Sequence, residues 1–254
     1  MLYAVMSDIH ANPWALEKAL ADAREQGAEK FICLGDVVGY GPDAVAAVEL
    51  ARSAFDVTVM GNHDAATTGL ISAWNFRPEA QAGVVRHTGE LDAEALTWLR
   101  GLPYVHREAG FAAAHGSLVN PGDFEYIMRE EDAFAAFEEM GGTPLLFVGH
   151  THLALGVERT GRRRLKVRDA DELSLAKKGA CIVNVGSVGY PRNEPESVYA
   201  LYDTSYGMVV WRRLPFDYQG YVEKMRAKKI ELPRWLVEDA AEAGALQDES
   251  GRKG

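Results

Sequence analysis

Residues that can ligate a metal follow short apolar segments of this chain, beginning with Asp8-Ile9-His10 directly after the apolar run 2–6. In an extended segment alternate side chains share a face, so Asp8 and His10 can contact the same ion. One such pair is weak support, since an acid and a histidine at a strand end are commonly a cap and a surface imidazole. Metal binding becomes the better interpretation because the arrangement recurs.

Four further apolar segments, at 30–34, 55–60, 110–114 and 144–148, lead into residues of the same kinds. In chain order these are Gly35-Asp36, Gly61-Asn62-His63-Asp64, His115-Gly116-Ser117 and Gly149-His150-Thr151-His152. Nitrogen and oxygen ligands without thiolates suit a borderline divalent ion such as Mn²⁺, Fe²⁺ or Zn²⁺. The ligands are also too many for one closed structural site.

The segments that carry these residues alternate with helical patterns at 13–26 and 42–53. This order predicts parallel strands joined by right-handed crossovers, with ligands bound beyond the carboxyl ends of the strands. Helices are then predicted up to residue 101, strands from 153 to 214, and two helices at 217–229 and 234–243. We expect residues 1–243 to form a single domain and the polar tail 244–254 to be disordered.

The composition limits the classes of partner. The 254 residues are 47% hydrophobic and 25% charged, as in ordinary soluble globular proteins. The formal net charge of −10 opposes binding to a nucleic acid polymer, and no segment is long and apolar enough to cross a membrane. Cys33 and Cys181 lie in apolar runs, which predicts buried thiols and favours a cytoplasmic protein.

The ordered motifs resemble the signature of the calcineurin-like metallophosphoesterase superfamily, D-x-H … G-D … G-N-H-[DE] … H … G-H-x-H, in particular its YfcE-type phosphodiesterase branch. The resemblance covers nearly the whole chain and implies an α/β fold, a four-layer α/β/β/α sandwich of two mixed sheets. It also implies two divalent metal ions, Mn²⁺ or Fe²⁺, with Zn²⁺ or Ni²⁺ as alternatives. One ion would be held by Asp8, His10, Asp36 and His152, and the other by Asp36, Asn62, His115 and His150.

The same resemblance implies hydrolysis of a phosphodiester, or of a small phosphomonoester, by in-line attack of a metal-bridging hydroxide. His63 would protonate the leaving oxygen, beside the ligand Asn62. Arg192, at the end of the loop 184–192, would contact a phosphate oxygen. A solvated loop arginine is an equally acceptable interpretation of Arg192.

One departure from the family pattern bears on the substrate. Protein serine/threonine phosphatases of this superfamily read G-D-x-V-D-R-G, whereas here Gly39 and Tyr40 replace the acid and the arginine. This disfavours a protein phosphatase, which stays an alternative together with a nucleotide-polyphosphate hydrolase. A non-catalytic scaffold is least favoured because no ligand is missing.

Other aromatic residues and histidines have no role in the motifs. Five rings are candidates for the wall of a pocket for a nucleoside or an aryl ester, although such rings are more often core or rim residues: Tyr40, Trp74, Phe76, Tyr126 and Tyr190. His87 and His106 are expected to be surface or hairpin residues.

Overall fold

The computed structural model describes residues 1–168, 171–175, 179–192, 196–215, 218–232 and 236. Within these residues the strands are β1 (Leu2–Met6), β2 (Lys30–Cys33), β3 (Val57–Thr58), β4 (Val105–Glu108), β5 (Phe111–Ala114), β6 (Leu145–Val148), β7 (Ala154–Gly161), β8 (Arg164–Arg168), β9 (Glu172–Ser174), β10 (Cys181–Val185), β11 (Glu196–Asp203) and β12 (Met208–Pro215). The helices are α1 (Pro13–Glu25), α2 (Ala44–Ala54), α3 (Asn62–Thr67), α4 (Pro78–Glu90), α5 (Ala93–Arg100), α6 (Glu130–Glu139) and α7 (Tyr218–Ala227), with a 3₁₀ turn at Pro121–Asp123.

The strands form two mixed sheets of six strands each. The first has the order β3-β2-β1-β11-β12-β9, with β1, β2 and β3 parallel and the other neighbouring pairs antiparallel. The second has the order β4-β5-β6-β10-β7-β8, with β5, β6 and β10 parallel. The carboxyl ends of the parallel strands carry the predicted ligands in both sheets.

Alternation along β1 shows how the layers stack. Tyr3 and Val5 belong to the apolar core between the sheets, whereas Ala4 and Met6 pack into the core under the helices of the first sheet. A third apolar core lies between the second sheet and α6, where Phe137 is buried. Both faces of the parallel strands are therefore covered, and the predicted four-layer sandwich is confirmed.

The elements differ from prediction where the chain leaves the sheet early. The predicted strand at 55–60 is regular only over two residues, because the Met60 N–H donates to the Pro103 carbonyl instead of a strand neighbour. The edge strand β9 was not predicted. The predicted helix at 234–243, apart from Leu236, and the tail 244–254 lie outside the described residues.

The expectation that both thiols are buried is confirmed. Cys33 and Cys181 are both buried and unpaired. Among the helices that the structure describes, none combines the length and the apolar character that a membrane span requires.

Candidate metal centre

The seven predicted ligands converge where the two sheets bring their strand ends together. All are buried, with at most 8% of the residue exposed. They follow β1, β2, β3, β5 and β6, and they are Asp8, His10, Asp36, Asn62, His115, His150 and His152. Two groups of these side chains, Asp8 with His10 and His152 and Asp36 with His115 and His150, are compact enough to hold a metal ion, and His10 and Asp36 form a third such group with His63.

The first group contains Asp8, His10 and His152. The Nε2 atoms of His10 and His152 are 3.2 Å apart. Asp8 Oδ1 lies 3.2 Å from Nε2 of His152 and 3.6 Å from Nε2 of His10. Three donor atoms thus surround one small space.

Backbone carbonyls determine which ring nitrogen of His10 and of His152 carries the proton. Nδ1 of His10 donates to the Val38 carbonyl at 3.1 Å, and Nδ1 of His152 donates to the Tyr190 carbonyl at 2.5 Å. In the neutral rings both Nε2 atoms therefore present lone pairs. Asp8 Oδ1 has no hydrogen-bond donor. A buried space lined by two lone pairs and a carboxylate oxygen fits a cation.

The second group is centred on His115. Its Nε2 lies 3.1 Å from Asn62 Oδ1, 3.1 Å from Nδ1 of His150 and 3.3 Å from Asp36 Oδ2. Its Nδ1 donates to the Leu34 carbonyl at 2.8 Å, which orients the ring. Asp36 Oδ2 is also 3.7 Å from His10 Nε2, so this carboxylate lies between the two groups.

The electrostatics favour positive charge in both groups. Burial acts to raise the pKa of Asp8, but the imidazoles of His152 and His10, in their protonated forms, hold this pKa well below its usual range. Burial acts to lower the pKa of His115, but the Asp36 carboxylate raises it to about 9. Conversely, burial lowers the pKa values of His150 and His152, so they are neutral at pH 7, the form that ligates metals.

Most of the ligands occupy an unusual backbone region. Five of the seven have φ between 49° and 66°: Asp8, His10, Asp36, His150 and His152. Non-glycine residues rarely adopt this left-handed conformation, which costs about 1–3 kcal/mol each. Ala11, where the family commonly has glycine, has φ 51° as well. Such strain is typical of sites whose geometry the surrounding fold enforces.

Comparison with known proteins agrees with this geometry. The profile of the calcineurin-like phosphoesterase superfamily domain matches residues 1–207. The chain belongs to this superfamily. The chain is similar to the crystal structure of a metallophosphoesterase from Sphaerobacter thermophilus, with 34% sequence identity and a TM-score of 0.80, covering 95% of this chain and 98% of that one.

Two curated relatives of this calcineurin-like chain differ in how much of it they match. The uncharacterized protein MJ0912 of Methanocaldococcus jannaschii is 30% identical over 244 residues, which are 93% of this chain and 96% of that protein. The symmetrical bis(5′-nucleosyl)-tetraphosphatase of Aromatoleum aromaticum is 32% identical over 107 residues, which are 39% of this chain and 37% of that protein.

Glycines in the calcineurin-like motifs allow the ligand loops to pack backbone against side chain. A Cβ atom on Gly61 would lie 2.1 Å from Asp36 Oδ1. A Cβ atom on Gly149 would lie 2.0 Å from Ser7 Oγ and 2.6 Å from Asp8 Oδ2. A side chain at either position would displace a proposed ligand, which explains why glycine precedes Asn62 and His150.

Asp64, the last residue of the G-N-H-[DE] motif, joins two ligand loops. Its Oδ2 accepts from the Asp36 N–H at 2.8 Å and the Gly61 N–H at 3.0 Å, and its Oδ1 accepts from the Val38 N–H at 3.2 Å. Burial, with a further contribution from Asp36, raises the pKa of Asp64 to about 7. The sequence motif contained this residue, but its spacing alone did not show what it contacts.

His63 lies beside the ligands of this phosphoesterase domain without a hydrogen bond at Nδ1. Its ring centroid is 4.8 Å from that of Tyr40 and 5.0 Å from that of Phe76. Burial lowers the pKa of His63 to about 3. A Cβ atom on Gly39 would lie 2.2 Å from His63 Nδ1, so the imidazole fills the space that an acid at position 39 would occupy.

Two cavities open beside the candidate metal centre. The larger, which we call the aromatic cavity, has a volume of about 660 Å³; its lining includes Tyr40, Asn62, His63, Phe76, Arg77, Tyr126, His150 and Arg192. The smaller has about 310 Å³, and its lining includes His152, Ser187, Pro191, Arg192 and Arg213. The cavities share Leu153 and Arg192, so Arg192 lies where they meet.

Four of the five rings proposed for an aromatic wall adjoin the centre. Tyr126 stacks on His150, with centroids 3.7 Å apart and planes 8° apart. Tyr40 stacks on Tyr190 at 4.3 Å. Trp74 is different, because 83% of it is exposed and it does not line the aromatic cavity.

The expectation that His87 is a surface residue was wrong. It is completely buried on α4. The Gly39 N–H donates to its Nδ1 and its Nε2–H donates to the Gly41 carbonyl, each at 3.0 Å. His87 therefore holds the loop that carries Tyr40 beside His63, a role that no motif indicates. His106 lies in the β4–β5 hairpin, as expected.

Proposed function

We propose that this protein is a metal-dependent phosphoric ester hydrolase whose substrate is a small phosphodiester. The observation that carries the proposal is the buried convergence of seven nitrogen- and oxygen-donor side chains, none of them a thiolate, with lone pairs directed at common spaces. Family membership supports the class of reaction, and the cavities support the kind of ester.

The two groups of ligands would hold two divalent ions, Mn²⁺ or Fe²⁺ by their chemistry, with Asp36 between them. When bound, such ions activate water at neutral pH and offset the charge of the phosphoryl oxygens. The chain's own contribution is to hold the donors in place through the carbonyl bonds to His10, His115 and His152.

His63 is the proposed general acid for the leaving oxygen. It lines the aromatic cavity, so the ester arm in this cavity is the one that it can protonate. Because burial lowers its pKa to about 3, the imidazole is neutral at pH 7 before substrate binds. The negative charge of a bound phosphate raises the pKa of a neighbouring imidazole, which would allow His63 to carry the proton in the complex.

A diester is favoured over a monoester because two cavities adjoin the centre. Arg192 and Leu153 lie where they meet, and proposed ligands line each one: Asn62 and His150 the larger, His152 the smaller. A phosphate held at the junction could direct one ester arm into each cavity. Arg192 would contact a phosphate oxygen between the two arms.

The test is metal analysis of the purified protein followed by a substrate panel. We expect bound Mn²⁺ or Fe²⁺ and faster hydrolysis of bis(4-nitrophenyl) phosphate than of 4-nitrophenyl phosphate. Faster hydrolysis of the monoester would contradict the proposed diester. Absence of turnover on every ester with the metals bound would favour a scaffold instead.

A second candidate is hydrolysis of a nucleoside polyphosphate. Similarity to the symmetrical bis(5′-nucleosyl)-tetraphosphatase over 107 residues favours it, and Arg77 in the aromatic cavity offers a second cation for a longer phosphate chain. Adding dinucleoside polyphosphates to the same panel discriminates the two candidates.

A further inference from the structure

The aromatic cavity is larger and more ring-lined than a phosphate group alone requires. We infer that it binds the leaving arm of the substrate as a planar ring system of nucleoside size, packed against Tyr126 and Phe76. The inference rests on the function proposed above and adds the chemical class of the leaving group.

The ring of Tyr126 is preorganised for such a contact. One face of its ring lies on His150 at 3.7 Å, yet 46% of the residue is exposed. The stacking on a buried imidazole fixes the plane of the phenol, so little rotational freedom is lost when another ring packs beside it. A flat exposed ring fixed beside a phosphate site is a surface on which a base can stack.

Phe76 forms another part of the same cavity. Its ring contacts His63, with centroids 5.0 Å apart. The side-chain amide of Gln81 donates to the carbonyls of Phe76 at 2.8 Å and Trp74 at 3.1 Å, which ties this segment to α4. The ring is therefore held near the proposed proton donor by a local hydrogen-bond network.

The size and polarity of the cavity fit a nucleoside. A volume of about 660 Å³ lies in the range of pockets that enclose small organic ligands. Asn75, Asp123 and Thr151 supply polar groups among the rings, as the edges of a heteroaromatic base and a sugar require.

The position of His63 specifies which arm leaves. The oxygen of water bonds to phosphorus while the bond from phosphorus to the nucleoside oxygen breaks. The proton from His63 goes to that nucleoside oxygen, and the proton that the attacking water loses passes to solvent, from which His63 is protonated again. The products are the nucleoside, released from the aromatic cavity, and a phosphomonoester of the other arm.

Calorimetric titration of the Mn²⁺-loaded protein tests the inference with three probes: inorganic phosphate, ribose 5-phosphate and adenosine 5′-phosphate. We expect adenosine 5′-phosphate to bind at least tenfold more tightly than ribose 5-phosphate. Tyr126→Ala should remove about tenfold of that affinity and leave the Kd of inorganic phosphate unchanged. Tyr126→Phe, which keeps the ring, should bind like the wild type.

Matched controls separate the possible failures. Tyr206→Ala removes another exposed tyrosine, 81% exposed and outside both cavities, and should change nothing. Equal affinity for the two sugar phosphates would overturn the inference, as would a Tyr126→Ala effect that extends to inorganic phosphate. Failure of inorganic phosphate to bind would instead count against the proposed function. In that case adenosine and ribose are titrated against the metal-free protein. Tighter binding of adenosine would support the inference for the cavity alone, and equal binding of the two would overturn it.

Discussion

The seven proposed ligands, which we call the floor of the site, and the tyrosine and phenylalanine rings that line the aromatic cavity, which we call its walls, are built in different ways. Every proposed ligand on the floor is nearly inaccessible, and three of the histidines are fixed through Nδ1 by backbone carbonyls. The walls come from connecting segments and include a ring that is 46% exposed, Tyr126. The fold therefore fixes the positions of the floor residues, whereas the wall residues lie on loops outside the sheets.

Chemistry and specificity are therefore assigned to different parts of the site. The floor accepts backbone strain of about 1–3 kcal/mol at each left-handed ligand, which the surrounding sheets must offset. Two wall residues, Tyr40 and Phe124, share the left-handed conformation with φ 51° and 52°, whereas Phe76 and Tyr126 do not, so the latter two rings can vary with less effect on the ligands. Substitutions in the floor should therefore abolish the reaction with any ester, whereas substitutions in the walls should change which ester is used.

The largest effect is expected for Asp36→Asn, because this carboxylate lies between both groups of ligands. We expect metal content to fall and hydrolysis of bis(4-nitrophenyl) phosphate to drop by roughly a thousandfold, several kcal/mol of charge stabilisation being lost. Elemental analysis and steady-state kinetics measure both. Asp171→Asn, at a carboxylate whose side chain is 84% exposed, is the matched control. Full metal content with full activity would contradict the proposed centre.

His63→Ala should keep the metals but slow the reaction according to the leaving group. Loss of a general acid costs about 10²–10⁴-fold when the leaving oxygen needs a proton. We expect a loss of this order for an alkyl ester and a much smaller loss for a nitrophenyl ester. His106→Ala, in the β4–β5 hairpin and outside both cavities, controls for removal of an imidazole. An equal loss on both esters would exclude His63 as the acid.

His87→Leu tests whether His87 of α4 holds the loop that contacts the ring of His63. The Gly39 N–H and the Gly41 carbonyl would lose their partner, at about 1–3 kcal/mol for each buried group. Because Gly39 backs the ring of His63, we expect kcat for an alkyl ester to fall about tenfold, with a smaller fall for a nitrophenyl ester.

His87→Gln, which can both donate and accept, should recover part of this loss. Denaturant unfolding and kinetics at a permissive temperature distinguish the possible roles of His87. Lower stability with an unchanged ratio between the two esters would show that it supports only the fold.

The residues in these predictions differ in whether their roles could be found from the sequence alone. The residue types and their order after apolar runs were enough for the floor, since strand ends of parallel sheets must meet at one edge. His87 could not be found in this way, because its partners are backbone atoms 46 and 48 positions away. The stacking of Tyr126 on His150 depends on a loop path that neither periodicity nor spacing specifies. For the same reason Trp74, predicted as a candidate wall residue, points outward.

Arg192→Ala should act on binding more than on chemistry. Loss of one charge-assisted contact to phosphate should raise KM about fivefold for both bis(4-nitrophenyl) phosphate and 4-nitrophenyl phosphate, with kcat little changed. Arg192→Lys should be intermediate, because an ammonium cannot pair in bidentate fashion. Arg163→Ala, at an exposed hairpin tip, changes the net charge equally and should leave KM unaltered. An unchanged KM in Arg192→Ala would leave this residue as a solvated loop arginine.

The smallest kinetic effect is expected at a third region, where Asp22 of α1 accepts from Tyr199 at 2.6 Å and from Arg212 at 2.8 and 3.0 Å. The Arg212 guanidinium lowers the pKa of Asp22, against burial, with help from the Tyr199 hydroxyl. A carboxyl group with a lower pKa in the folded state adds stability above its unfolded pKa of about 3.9, and this stability is lost as pH falls through the folded value.

Asp22→Asn should therefore lower the free energy of unfolding by about 1 kcal/mol at pH 7, with a smaller deficit below pH 4. Urea unfolding at pH 7 and pH 3 measures this difference. Activity on every ester should stay within twofold of the wild type, because neither the floor nor the walls contain these residues. A deficit of equal size at both pH values would assign the effect to packing. A change in ester preference would mean that stability and specificity are coupled, against the separation of floor and walls.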